Sequence, residues 1–323
     1  MYEAVFFSNS GDSSVLFLEK TEDIKPKEDE VLLRQVAIGV NDIDILYRSG
    51  AFILSKGKNP IGFEAAGIIE EVGNNVSGFN IGDKVVYATG PLGAYCSKRC
   101  ISSRYIIKLP KEIDEITAAS VFFKALSAHY LLFRAFLIRE GFTILVHDVA
   151  NPLNQILVQW ACINKDVRVI GTVANDEHRQ MALSIGCSHV MNYNSENWDK
   201  ELIDYTSGTG VKAVYDLVGR ITFAKSIKVL SRLGLLISYG RGTGSIGKID
   251  FEQIFRKSIF ITSPSIFDYK NNRMELILSA SEVFALLGHD KVKIPAIEQY
   301  QLADVQKAHQ SIEAGNSNSI VLV

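Results

Sequence analysis

The feature that most constrains this chain is a change of period near Glu112. Beyond it, short β-branched runs alternate with stretches whose apolar residues recur at helical spacing. Thr143 to Val146 reads as a strand and Pro152 to Ala161 as a helix; Val167 to Val173 is a strand and Asp176 to Ile185 a helix. Ala213 to Leu217 is a strand, Thr222 to Leu230 a helix, and Leu235 to Tyr239 and Phe260 to Ser263 are two more strands. Strands joined through helices pair in parallel, because a parallel connection needs a crossover. Repeated strand–helix units therefore predict a parallel sheet with helices on both faces, in an α/β protein. Such sheets take ligands beyond the carboxyl ends of their strands.

The residues before Glu112 have another texture. Val5-Phe6-Phe7 begins a strand, Glu30 to Ile38 alternates apolar and polar positions, and Gly82 to Ala88 is a strand opened by a Gly-Asp turn. Ile61 to Gly73 reads as a strand pair with glycines at the bends, and Asn41 to Ser49 as a short helix. Many strands, glycine turns and few helices predict a small β-barrel-like domain. A helical stretch from Ile116 to Phe136 leads into the second domain. After Ser265, a long helix over Asn272 to Leu287 precedes a last apolar strand, Ser319 to Val323. With 323 residues, two domains are the expectation.

Charge and composition narrow the function. A formal net charge of -2 argues against a general nucleic-acid binder, which carries a basic stripe. No uninterrupted apolar run spans a bilayer, so no membrane partner is expected. MYEAVFFSNSGDSS lacks the basic and apolar regions of a secretory signal, which predicts a cytoplasmic protein. Cys96, Cys100, Cys162 and Cys187 are too few and too scattered for a disulfide framework. Cys96 and Cys100 lack a second Cys/His pair at zinc-finger spacing, so no metal site is expected.

Six segments in order carry a resemblance. They are AIGVNDIDILYRSG (Ala37 to Gly50), FEAAGIIEEVG (Phe63 to Gly73), GDKVVYA, LGAYCSKRCI (Leu92 to Ile101), YDLVGR (Tyr215 to Arg220) and LADVQKAHQSIEAG. Together they resemble the zinc-free quinone oxidoreductases of the medium-chain dehydrogenase/reductase superfamily. That resemblance implies a GroES-like β-barrel catalytic domain over 1–120, completed by 266–323, and a Rossmann dinucleotide-binding domain over 121–265. Zinc alcohol dehydrogenases of the same superfamily have Gly-His-Glu where this chain has Gly62-Phe63-Glu64, and phenylalanine cannot ligate a metal. The resemblance also implies a homodimer formed through the edge of the Rossmann sheet, for which IFITSPSI supplies an apolar edge strand.

The resemblance assigns roles residue by residue. Asn41 would orient the nicotinamide or a substrate carbonyl, and Lys124 and Ser127 would lie beside the nicotinamide. Tyr130 would touch the cofactor, as would Val218-Gly219 and Tyr239-Gly240 at strand ends. His178, Arg179 and Tyr193 would hold a 2′-phosphate, for which the fork of an arginine is suited. The second Rossmann strand ends without an acidic residue for a ribose 2′-hydroxyl, which points to NADPH rather than NADH. Phe52 makes the acceptor pocket more apolar. Glu64 reads as a buried structural carboxylate.

One loop departs from the pattern. Family members carry a glycine-rich turn after the first Rossmann strand, so that backbone and helix N-terminus can approach the pyrophosphate. Here ILVHDVANPLNQILVQWA places Asn151, Pro152, Leu153 and Asn154 at that entrance, with Asp148 adding a negative charge. Ser263 likewise stands where relatives often have arginine. Two functions follow as expectations. The first is an NADPH-dependent, zinc-independent reductase of quinones or similar unsaturated carbonyls, its acceptor polarised by Asn41 and a backbone N–H near Tyr239. The alternative is a cofactor-deficient member acting as a binding or scaffold protein.

Overall fold

The computed structural model describes residues 1–52, 56–163, 167–288 and 291–323. The chain divides into two compact units. The first comprises 1–126, 270–289 and 294–323, and the second 127–269 and 290–293.

In the second unit six parallel strands form one sheet. In spatial order they are His189–Asn192, Arg168–Val173, Thr143–Val146, Val211–Asp216, Leu230–Ser238 and Phe260–Thr262. Read by sequence position this is 3-2-1-4-5-6, the Rossmann order, which reverses between Thr143–Val146 and Val211–Asp216. The central strands are buried except at Thr143 and Lys212, as parallel strands covered on both faces must be. The Pro152–Ile163 helix is apolar nearly all round and largely buried, as a helix packed into the core requires. Trp198, fully buried, sets its ring edge-on to His147 at 5.0 Å between centroids. Gln159 exchanges two hydrogen bonds with the backbone of Lys293, which ties the short 290–293 piece to this unit.

The first unit is built on the long Glu30–Val40 strand. It pairs antiparallel with Glu64–Val72, Lys98–Ser102 and the C-terminal Ser319–Leu322. Ile297–Tyr300, Lys84–Tyr87 and Ile107–Lys108 extend the same sheet, while Tyr2–Phe7 pairs with Phe17–Thr21 and Asn59–Pro60 in a second one. Val5, Leu33, Val40, Ile69, Tyr95 and Ile320 belong to one apolar core, so the returning C-terminal strand completes it. The Arg273–Leu287 helix is attached by the stacking of Phe284 on Phe122 at 5.5 Å.

The fold expected from the sequence, a barrel-like unit and a Rossmann sheet, is the fold observed. Several details differ. Ile61 to Gly73 is no strand pair: Glu64–Val72 is one continuous strand, and Gly67 serves close approach, since a Cβ there would lie 2.3 Å from the Arg34 carbonyl oxygen. Glu115–Tyr130 is α-helical and continues as a π-turn through Ala135. By length and composition that 21-residue stretch could cross a bilayer, but Lys124 and Arg134 interrupt it and it is mostly buried inside the protein, as a core helix is. The helices Trp198–Tyr205 and Phe251–Phe255 are additions to the elements read from sequence.

Candidate functional site

In the first unit a line of buried polar groups converges on Asn41. This residue is extended (φ -132°) and opens the Asp42–Arg48 helix. An asparagine there ordinarily caps the helix with its own side chain. Here the Asp44 carboxylate accepts from the Asn41 N–H at 2.9 Å, and the Asn41 side chain turns elsewhere. Its Nδ2 donates to Glu64 Oε2 at 2.8 Å, and its Oδ1 accepts from Lys124 Nζ at 3.0 Å. Both bonds fix which end of the amide faces which neighbour. Asn41, Glu64 and Lys124 are all buried.

Glu64 begins its strand directly opposite Gly39. A Cβ at Gly39 would stand 2.2 Å from Glu64 Oε2 and 2.3 Å from the Ala119 carbonyl oxygen, so glycine is what makes room for the carboxylate. Glu64 Oε1 accepts from the Phe123 N–H at 2.5 Å. Burial pushes the Glu64 carboxyl up, against the pull of the Lys124 charge and the Asn41 amide. Burial likewise pushes the Lys124 ammonium down, against the carboxylates of Glu64, Asp42 and Asp44. Glu64 is thus internally paired, and it holds the amide that Lys124 reads from the other side.

Behind Asn41 lies a second row of groups. Asp44 Oδ2 accepts from the Tyr95 hydroxyl at 2.9 Å, and that hydroxyl meets His309 Nε2 at 3.1 Å. Tyr95 owes its place to Gly62, where a Cβ would lie 2.2 Å from the ring. Burial raises the Asp44 carboxyl to about 7, offset in part by the N–H of Asn41 and the hydroxyl of Tyr95. Burial, with Arg48 close by, lowers the His309 imidazole to about 3. Arg48, itself buried, pairs with Glu313 near the protein surface. Beside this row Tyr47 packs on Phe52 (4.7 Å) and edge-on to Phe63 (5.2 Å), an apolar group of three rings. Asp44, Tyr95, His309 and Gly39 escaped the reading from sequence, because their contacts lie far along the chain.

No three His, Cys, Asp or Glu side chains are gathered to share a cation among the described residues. The Glu64 carboxylate is taken up by N–H donors, and the Phe63 ring lies against Tyr47.

In the second unit Val218-Gly219 and Tyr239-Gly240 follow the carboxyl ends of two of the parallel strands. The Val218 and Gly219 N–H groups both donate to Asp216 Oδ1 at 2.9 Å, which shapes the turn after the fourth strand. Gly240 follows Tyr239 where a Cβ would be 2.0 Å from the Leu217 carbonyl oxygen. Ser127 is buried, and Tyr130 is buried and stacked on Tyr269 at 5.1 Å. Arg179 binds the Val190 carbonyl and, at 2.9 Å, the Asp176 carboxylate. His178 and Tyr193 are half-buried, and burial together with the Asp148 carboxylate raises the Tyr193 phenol. Ser263 is exposed.

The loop after the first strand holds itself closed. Asn151 Oδ1 accepts from the Leu153 N–H at 3.0 Å, and Pro152 has no N–H to offer. Asn154 is fully buried; its Nδ2 donates to the His147 and Asp148 carbonyls at 2.8 and 3.0 Å, and its Oδ1 accepts from the Tyr239 hydroxyl at 2.5 Å. Asp148 is left-handed (φ 56°). Where the family pattern has a glycine, the Asn154 amide thus makes three hydrogen bonds within the protein. His147, which the sequence left unremarked, is buried between the Thr172 hydroxyl (2.8 Å) and the Ser226 hydroxyl (2.9 Å).

Comparison with known proteins agrees with this architecture. Residues 27–111 match the alcohol dehydrogenase GroES-like domain, and residues 152–280 the zinc-binding dehydrogenase family. Quinone oxidoreductase 1 of Escherichia coli is 35% identical over 317 residues, 97% of each chain. A 2-haloacrylate reductase of a Burkholderia species is 33% identical over 94% of each. The crystal structure of E. coli quinone oxidoreductase complexed with NADPH superposes with a TM-score of 0.95, at 33% identity and 99% coverage of both chains. None of these three relatives supports the alternative of a binding or scaffold protein. On this evidence the chain belongs to the quinone oxidoreductase family of the medium-chain dehydrogenase/reductase superfamily.

Proposed function

We propose that the protein is an NADPH-dependent reductase that acts without zinc on a quinone or a similar unsaturated carbonyl compound. The observation that carries this reading is the buried Lys124–Asn41–Glu64 chain, an oriented amide backed by one cation and one carboxylate. The relatives that bind NADPH or reduce quinones and haloacrylates support the cofactor and the acceptor class. The donor set suits a phosphorylated dinucleotide. Asn41, Lys124 and Ser127 would take the nicotinamide end, with Tyr130, Val218-Gly219 and Tyr239-Gly240 lining its course. His178, Arg179 and Tyr193 would hold the 2′-phosphate, and Asn151, Pro152 and Leu153 would border the diphosphate.

When bound, NADPH supplies the hydride. The protein's share is orientation and electrostatics. Asn41 Nδ2 carries two hydrogens and Glu64 accepts one, which aims the amide. Lys124 keeps positive charge beside Asn41 Oδ1 in a buried setting, where charge stabilisation is stronger than in water. Solvent supplies the proton that the acceptor takes up along with the hydride. The Tyr47–Phe52–Phe63 rings favour flat apolar acceptors.

The same reading includes a homodimer and a cytoplasmic location. The Phe260–Thr262 strand is an open sheet edge, and Phe251, Phe255 and Phe260 are 78%, 80% and 60% exposed. It also takes 1–120 with 266–323 as the catalytic domain and 121–265 as the dinucleotide domain. An acceptor panel tests the activity. NADPH consumption with quinones and activated alkenes, and none with simple ketones, is the result expected. Turnover of simple alcohols with NADP⁺ but not of quinones with NADPH would refute it.

A further inference from the structure

The loop at the Pro152–Ile163 helix is the feature that the family pattern leaves unexplained. A glycine-rich turn exposes N–H groups at the helix start, and the helix dipole adds positive potential there. In this chain the Asn151 and Leu153 donors are spent within the protein. The Asn151 N–H donates to the Asp148 carbonyl at 3.1 Å, the Leu153 N–H to the Asn151 side chain, and the Gln155 N–H to the Asn151 carbonyl at 3.0 Å. Pro152 contributes none. The Val149 N–H is taken by the Thr172 carbonyl at 2.8 Å. Below the loop, Asn154 joins its two carbonyls at His147 and Asp148 to the Tyr239 hydroxyl on another strand end. That bridge holds Asp148 in a left-handed conformation that a residue with a Cβ enters at a cost of about 1 kcal/mol.

We propose that Asn154 and Tyr239 form a side-chain latch which, with the Asn151 cap, closes the start of this helix, so that NADPH is bound with its diphosphate beside Asn151, Pro152 and Leu153 but without a hydrogen bond from the Leu153 N–H, and its affinity comes from its two ends. The proposal rests on the cofactor reading above. Asn154 and Tyr239 act as positioning residues: they set the loop and touch no reacting atom. Freeing the Leu153 N–H should return one charge-assisted hydrogen bond to the diphosphate, worth about tenfold in affinity.

The test is calorimetric titration with NADPH and with adenosine 2′-monophosphate, which carries no diphosphate. Asn151→Gly, or Asn151→Ala should the glycine variant fold poorly, is expected to bind NADPH about tenfold more tightly and the monophosphate unchanged. Equal NADPH affinity in wild type and both variants, or weakening of both ligands together, overturns the proposal and leaves the cofactor reading standing. No saturable NADPH binding to any form overturns both. A second measurement needs no ligand. Tyr239→Phe is expected to speed amide hydrogen exchange at Val149 and Asn151 by about tenfold or more while the last turn of the helix is unchanged. Unchanged exchange at both would show that no latch exists.

Discussion

Lys124 and Glu64 are joined through one amide: Lys124 Nζ donates to Asn41 Oδ1 at 3.0 Å, and Asn41 Nδ2 donates to Glu64 Oε2 at 2.8 Å. Two buried opposite charges are thereby linked without touching, and the amide between them is held in one orientation.

Removing that amide should cost both activity and stability. Asn41→Ala is expected to lower kcat/KM about 100-fold, as loss of an oriented donor does. It also leaves Glu64 Oε2 and Lys124 short of a partner, at about 2 kcal/mol of folding stability. Steady-state kinetics and urea denaturation measure the two effects. Asn41→Asp should not restore activity, because it turns a donor into an acceptor beside Glu64.

Gly39 should tolerate no side chain. The Cβ of Gly39→Ala would meet Glu64 Oε2 at 2.2 Å and the Ala119 carbonyl oxygen at 2.3 Å, and one of these is backbone. A loss of about 3 kcal/mol is expected, seen as a lower urea midpoint.

Asp44 and His309 should give stability opposite pH dependences. Asp44 is raised to about 7 from an ordinary 3.8, so the folded protein holds a proton that the unfolded chain has released. Its contribution is present below about pH 4 and is lost as pH rises through about 7. His309 is lowered to about 3 from 6.5, so its contribution is present above about pH 6.5 and is lost as pH falls toward 3. Relative to wild type, Asp44→Asn should lose the fall in stability toward pH 7, and His309→Gln the fall toward acid. Thermal unfolding of the three proteins from pH 4 to 8 checks the sign of each difference.

The open edge of the Rossmann sheet should carry self-association. Phe260→Asp places a charge on the exposed edge strand and is expected to yield monomers by sedimentation, with the wild type a dimer.

How much of this was legible in the sequence depended on distance along the chain. The parallel sheet followed from strand–helix alternation, which is local, while its strand His189–Asn192 was not among the runs read from sequence. The stretch Ile61 to Gly73 misled because Gly67 looks like a bend, while its reason, the carbonyl of Arg34 on the neighbouring strand, is tertiary. Asn41 and Lys124 were picked out by the resemblance, though 83 residues separate them. Asp44, Tyr95 and His309 were not, since their contacts span 51 and 214 residues and no local pattern marks them. Asn154 stood out in the sequence only as a departure from glycine; its bonds to the His147 and Asp148 carbonyls show the side chain turned under the loop.

The most direct test is anaerobic mixing of the chelator-dialysed protein with NADPH and a simple quinone, following loss of the reduced nicotinamide absorbance. The account predicts saturable consumption of one NADPH per quinone reduced, undiminished by chelation and about 100-fold slower in Asn41→Ala. Absence of saturable consumption, or activity that returns only when zinc is added back, would contradict it.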